Sequence, residues 1–151
     1  MESYSKIFLL LNLALSFYNA GIVWAHEIEI FRSWKLLDAR NFELVQLTHW
    51  RKIPYWVFLP AVLALTGSIK LMWYHPIDSP IWALWGNLIC QLILSFLTIL
   101  LWGRWQVKLI KERIGSESIY FDKILKTHWI RTLLVNAHAI ILLLWVIHLI
   151  I

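Results

Sequence analysis

The sequence predicts an all-α fold: an integral membrane four-helix bundle with cytoplasmic helical extensions and both termini outside. Three observations predict it. Hydrophobic residues make up 60% of the 151-residue chain and charged residues only 15%, against roughly 45–50% and about 25% in soluble domains. Four long segments carry no Asp, Glu, Lys or Arg. The basic residues cluster in the first and third connections between those segments, which is the pattern of a polytopic chain. A water-soluble fold of this length cannot bury so much apolar surface and still cover itself with polar groups. That excludes a soluble enzyme, a disordered tail and a secreted disulfide scaffold. The single cysteine, Cys90, lies in an apolar run, so neither an intrachain disulfide nor a cysteine-based zinc site is available. The net charge of +5 is carried by residues flanking apolar segments, which suits lipid headgroups rather than nucleic acid.

The chain reads as a single domain with spans at about 7–25, 53–72, 80–103 and 129–150. Backbone amides find no water in a bilayer core, so each span is helical. The first, Ile7 to Ala25, resembles a signal peptide at Val23-Trp24-Ala25, but its leader MESYSK has no net positive charge, and we read a retained helix. The second, between Lys52 and Lys70, is short and draws on a snorkelling Lys70. Asn41 is expected to start its helix, which bends at Pro54 or Pro60. The third lies between Asp78 and Arg104 and continues to a stop at Gly115. Ser116 or Ser118 caps the helix that runs into the fourth span.

Of the 14 Lys and Arg residues, all but Lys6 and Lys70 fall on one side. By the positive-inside rule that side is cytoplasmic, which places the chain in the cell (inner or plasma) membrane with both termini on the non-cytoplasmic face. Trp24, Trp34, Trp50, Trp56, Trp102, Trp105 and Trp129 lie near the cytoplasmic boundary; Trp73, Trp82, Trp85 and Trp145 lie near the outer one. Two interfacial belts account for them.

Polar side chains inside apolar spans need partners, so their helical spacing carries information. Asn12, Ser16, Asn19 and His26 share one face of the first helix; Asn87, Gln91, Ser95 and Thr98 share one of the third; His128, Arg131 and His138 share one of the fourth. Asn19, Gln91 and His138 sit near mid-depth, where they are expected either to bind substrate or simply to fix packing; Trp129 is a further substrate-binding candidate. His26, Glu27, His49, His128 and Arg131 are expected to meet at the cytoplasmic mouth. There His128, Arg131, His49 and Glu27 are the catalytic candidates, with a histidine as general base and Arg131 stabilising an oxyanion. Arg131 has a simpler reading as a headgroup anchor or the partner of Glu27. His26, His49 and His128 are also suitable ligands for a metal ion, and two histidines suffice for a haem. No short metal signature accompanies them, and the cofactor stays open.

The segments LLWGRWQVKL and HWIRTLLVNAHAIILLLW resemble the second half of small four-helix bacterial membrane proteins related to anthrone oxygenase. Trp129, Arg131 and Thr132 match the Trp-x-Arg-Thr motif that opens the last span of that family, and YNAGIVWAHEIEIF resembles its first span. His128 replaces an expected Asn, and Arg104 and Gln106 replace Pro and His. The resemblance implies the four-helix fold and an oxidoreductase or oxygenase acting on an apolar aromatic or quinone-like molecule. A non-catalytic subunit or scaffold of a larger membrane complex, or a homo-oligomer, is the alternative that packing alone supports. Proton or solute transport through His138 is a third reading, without the broken half-helices of carriers.

Overall fold

A computed structural model describes residues 2–151 as four long helices joined by short connections. We label them α1 (Glu2–Trp34), α2 (Ala39–Leu71), α3 (Ile81–Glu112) and α4 (Ile119–Ile150); each is long and apolar enough to cross a membrane. Among the described residues there is no strand. At 1.5 Å per residue, helices of 32 or 33 residues reach roughly 50 Å, well beyond a hydrocarbon core of roughly 30 Å. The expected helical extensions therefore exist as continuations of the spans.

Local chemistry sets the helix ends. Asp38, not Asn41, caps α2: its carboxylate accepts the Asn41 backbone N–H at 2.9 Å and Asn41 Nδ2 at 2.8 Å. Those hydrogen bonds, the backbone one foremost, hold the Asp38 carboxyl below its ordinary pKa. Ser118 caps α4 by accepting the Tyr120 N–H at 3.1 Å. The end of α3 comes earlier than Gly115. Arg113 takes the left-handed conformation that closes it, and Gly115 follows at φ +68°. A Cβ on Gly115 would press on Ala39 and Phe42, so this turn needs glycine for space as well as for dihedral.

Three of the helices contain one widened turn with i→i+5 hydrogen bonding. In α1 the Phe31 N–H reaches His26 O, in α2 Leu59 reaches Pro54 O, and in α3 Gly103 reaches Thr98 O. The irregularity in α2 falls at Pro54, which lacks the N–H that a regular turn needs. Pro60 likewise leaves Trp56 O without its usual partner, and Tyr18 Oη of α1 donates to that carbonyl at 3.2 Å.

Inside the bundle, apolar and polar layers alternate. Leu9, Leu71, Ala83, Leu84, Leu142 and Trp145 pack at the end nearest the termini. Phe31, Trp34, Phe42, Leu109, Phe121 and Ile124 pack at the opposite, basic end, and Ala20, Val23 and Val135 lie between. The interfacial reading of the tryptophans needs correction at three positions. Trp34, Trp102 and Trp145 are core residues, 4%, 2% and 0% exposed. The indole N–H groups of the last two donate to Thr127 Oγ1 at 2.9 Å and Ser79 Oγ at 3.1 Å. Helices α1 and α2 meet closely at Gly67, where an added Cβ would overlap the Asn12 amide.

Candidate functional site

The polar layer nearer the basic end is built by α1, α2 and α4. The widened turn of α1 starts at His26. Its Nδ1 lies 2.7 Å from Ile22 O, a group that only accepts, so Nδ1 carries the hydrogen. Its Nε2 faces His49 Nε2 at 3.1 Å. With both rings neutral, His26 must accept there and His49 must donate, so the tautomers of the pair are coupled. His128 of α4 lies with Nδ1 2.8 Å from Glu27 Oε2. The carboxylate accepts, Nδ1–H donates, and the lone pair of His128 is left on Nε2.

Aromatic rings wall this layer. Phe31 stands edge-on to His128 with centroids 4.8 Å apart and to His26 at 5.7 Å, while Trp34 stands at 90° to His49 at 5.1 Å. His26 and His128 are buried; His49 and Glu27 are half-buried. Sequence reasoning missed Phe31 and Trp34. The one available signal was their i+5 and i+8 spacing from His26, which a regular turn would not have aligned with it.

Arg131 departs from its expected pairing. Its guanidinium Cζ lies over the Trp102 ring, 4.4 Å from the centroid, and Glu27 is taken by His128. The Arg131 Nε is buried and has no hydrogen-bond partner. Trp129, a substrate-binding candidate by sequence, is 57% exposed on the outer surface of α4 and does not join the layer.

The metal expectation for His26, His49 and His128 is not met by this arrangement. Among the described residues, no three His, Cys, Asp or Glu side chains are grouped to hold a metal ion. The physical reason is that the third imidazole is turned onto Glu27 rather than toward the other two. Haem does not fit between His26 and His49 either. Two metal–imidazole bonds of about 2.0 Å in line need roughly 4 Å between nitrogens, and these are in hydrogen-bond contact at 3.1 Å.

The second polar layer joins α2, α3 and α4 at mid-depth. His138 Nε2 donates to Asn87 Oδ1 at 2.7 Å, and its Nδ1 accepts from Gln91 Nε2 at 3.1 Å. Ser68 Oγ lies 2.8 Å from both Asn87 Oδ1 and Ala64 O. His138 and Gln91 are 1% and 3% exposed, closed off by their own partners. Asn19 is not with them: its Nδ2 reaches Pro60 O at 3.5 Å, between α1 and α2. The expected single substrate-binding group of Asn19, Gln91 and His138 is therefore split. Ser68 and Asn87, which sequence reasoning did not select, complete the network. No protein-family model, no curated protein and no solved structure matches the chain.

Proposed function

We propose that the protein is a multi-pass protein of the cell (inner or plasma) membrane with both termini on the non-cytoplasmic side. Its Glu27–His128 layer, in this reading, is the centre of an oxidoreductase or oxygenase for an apolar aromatic or quinone-like molecule. Membrane placement is supported by apolar side chains exposed on every helix, among them Leu11, Val62, Phe96 and Ile140. Sidedness is supported by the bias of Lys and Arg toward one end. The similarity at Trp129-x-Arg131-Thr132 to proteins related to anthrone oxygenase supports the chemical class.

The observation that carries the catalytic reading is the 2.8 Å bond between Glu27 Oε2 and His128 Nδ1. A carboxylate that fixes one imidazole nitrogen as donor leaves the other as a general base. His128 Nε2 would take the proton of a substrate hydroxyl, Glu27 would steady the imidazolium, and Arg131, one turn along α4, would offset the negative charge on oxygen. For a hydroquinone, transfer of two electrons and two protons to dioxygen would then give the quinone and hydrogen peroxide.

The test uses detergent-purified protein, a lipophilic naphthohydroquinone and air, with product followed by absorbance and mass spectrometry against a protein-free control. Wild type should exceed the control, and Glu27→Gln and His128→Ala should each lose at least tenfold, about 1.4 kcal/mol of barrier. Variants that accumulate normally and keep the wild-type rate would remove the general base. Variants that fail to accumulate at all would favour the alternative, a non-catalytic subunit whose histidines serve packing.

A further inference from the structure

At the end of the bundle away from the Glu27–His128 layer, an open groove of about 730 Å³ runs between the first turns of α1 and the end of α2. That volume is within the roughly 300–1,000 Å³ of small-molecule sites. The lining changes character along its length. Phe8 and Leu11 form the inner part, and Glu2, Tyr4, Lys70 and Tyr74 stand toward the end of the bundle. On α1, Glu2, Ser5, Phe8 and Leu11 recur at every third position and share one face. At 1.5 Å per residue that face is roughly 13 Å long. Phe8 is half-buried and packs on the core, while Tyr4, Leu11, Trp73 and Tyr74 stand exposed around it. One charge of the rim lacks a counter-ion. Glu2 holds Lys6 at 2.7 Å, and no ion pair among the described residues includes Lys70. The Lys70 ammonium is turned over the groove, 6.0 Å from the centre of the Phe8 ring. Among the described residues the excess at the rim is one positive charge, set beside an apolar floor.

We propose that this groove seats one glycerophospholipid of the surrounding membrane, with its phosphodiester on Lys70 and an acyl chain along Phe8 and Leu11. A phosphodiester carries one negative charge, which matches the one uncompensated cation, and an ammonium makes charge-assisted hydrogen bonds to such oxygens. A phosphate monoester, nearly dianionic at neutral pH, would leave a charge unmatched beside the Glu2 carboxylate. A lipid without phosphate would leave Lys70 unpaired. The hydroxyls of Tyr4 and Tyr74 and the indole N–H of Trp73 supply further donors at the rim, at the headgroup depth that Tyr and Trp rings favour. Concavity separates this seat from the lipid that wets the rest of the bundle. One wall is α1, the other is the end of α2 with the connection that follows it, and a single chain touches both. The proposal shares only the membrane placement with the reading above. It involves no residue of the Glu27–His128 layer, so its test needs no turnover.

The experiment photocrosslinks the full chain in maltoside micelles to a phosphatidylglycerol that carries a diazirine in one acyl chain, and maps the adducts by mass spectrometry. The expected result is saturable crosslinking to segments 2–11 and 70–77. Dioleoyl phosphatidylglycerol should block it at a concentration about tenfold below that of dioleoylglycerol, which has the same chains and no phosphate; a hydrogen bond to a charged group is worth about that much. Lys70→Gln should lower the crosslinking of those segments about tenfold, and Lys70→Arg should retain it. Lys111→Gln, which removes an exposed cation from the opposite end, should leave it unchanged. Adducts spread over the exposed faces of all four helices, or gathered at the basic end, overturn the proposal, as does equal competition by dioleoylglycerol. Stronger competition by a lipophilic naphthoquinone gives the groove to an aromatic ring, and an adduct lost as the protein dimerises gives it to a second copy; either result also overturns the proposal. These comparisons need only the wild type, so a variant that fails to accumulate leaves them decisive. Hydroquinone turnover without an adduct in the groove keeps the catalytic reading and removes the lipid seat. An adduct without turnover does the reverse.

Discussion

At the scale of single residues, His138 and His128 show how the same side chain serves opposite ends. His138 has both nitrogens engaged by Asn87 and Gln91 and is 1% exposed. His128 is equally buried but is held through Nδ1 alone by a carboxylate. The first arrangement fixes helices; the second leaves the Nε2 lone pair without a partner. Replacing His138 with Ala strands the Gln91 amide in the core and leaves the Asn87 carbonyl to Ser68 alone, so it should cost about 1–3 kcal/mol in reversible detergent unfolding. Ser68→Ala, which removes a hydroxyl able to donate to either of two acceptors, should cost less, about 0.5–1.5 kcal/mol. A near-neutral His138→Ala would mean the network contributes nothing to packing. The types and depths of these residues were legible in the sequence because polar groups stand out against an apolar background. Their partners were not, since Glu27 reaches His128 rather than Arg131 by an azimuth that only helix rotation sets.

At the scale of elements, the spans follow from hydropathy, but the widened turns at His26–Ile30 and Thr98–Trp102 carry no comparable mark. Proline flags the one at Pro54–Phe58. The other two depend on which carbonyl each N–H selects, a choice made by neighbouring helices. The close approach of α1 and α2 at Gly67 was equally hidden, because a glycine in an apolar run resembles any other small residue until its neighbour is known. A methyl at Gly67 would overlap the Asn12 amide, whose Nδ2 donates to Phe8 O at 3.0 Å and whose Oδ1 is buried without a partner. Gly67→Ala should therefore destabilise by about 1–3 kcal/mol through overpacking. In an Asn12→Ala background the same change should be nearly neutral, because the displaced amide is gone. A double-mutant cycle in detergent should give a coupling of about 0.5–3 kcal/mol. Additive effects would mean the two helices separate at this point without reference to Asn12.

For the whole molecule, the distribution of charge argues for the proposed orientation, which the fold alone leaves undecided. Two ends of the bundle are chemically distinct. One carries the Lys35–Asp38 and Arg113–Ser118 connections among most of the basic residues, and the other carries Lys6 and Lys70. Moving the first end across a bilayer would carry that excess of cation through hydrocarbon, which the insertion process resists. In the proposed orientation the aromatic cluster of Phe31, Trp34, Phe42 and Phe121 and the Glu27–His128 layer would lie toward the cytoplasmic side. Single-cysteine variants in a Cys90→Ser background test this directly. Ile77 and Leu36 are 63% and 86% exposed at opposite ends, so Ile77→Cys and Leu36→Cys present comparable thiols without disturbing the core. In intact cells or right-side-out vesicles, a membrane-impermeant maleimide should label position 77 and spare position 36; permeabilisation should add labelling at 36 only. The opposite pattern would invert the molecule and place its Glu27–His128 layer toward the outer leaflet. Labelling of both positions before permeabilisation would remove the proposed topology.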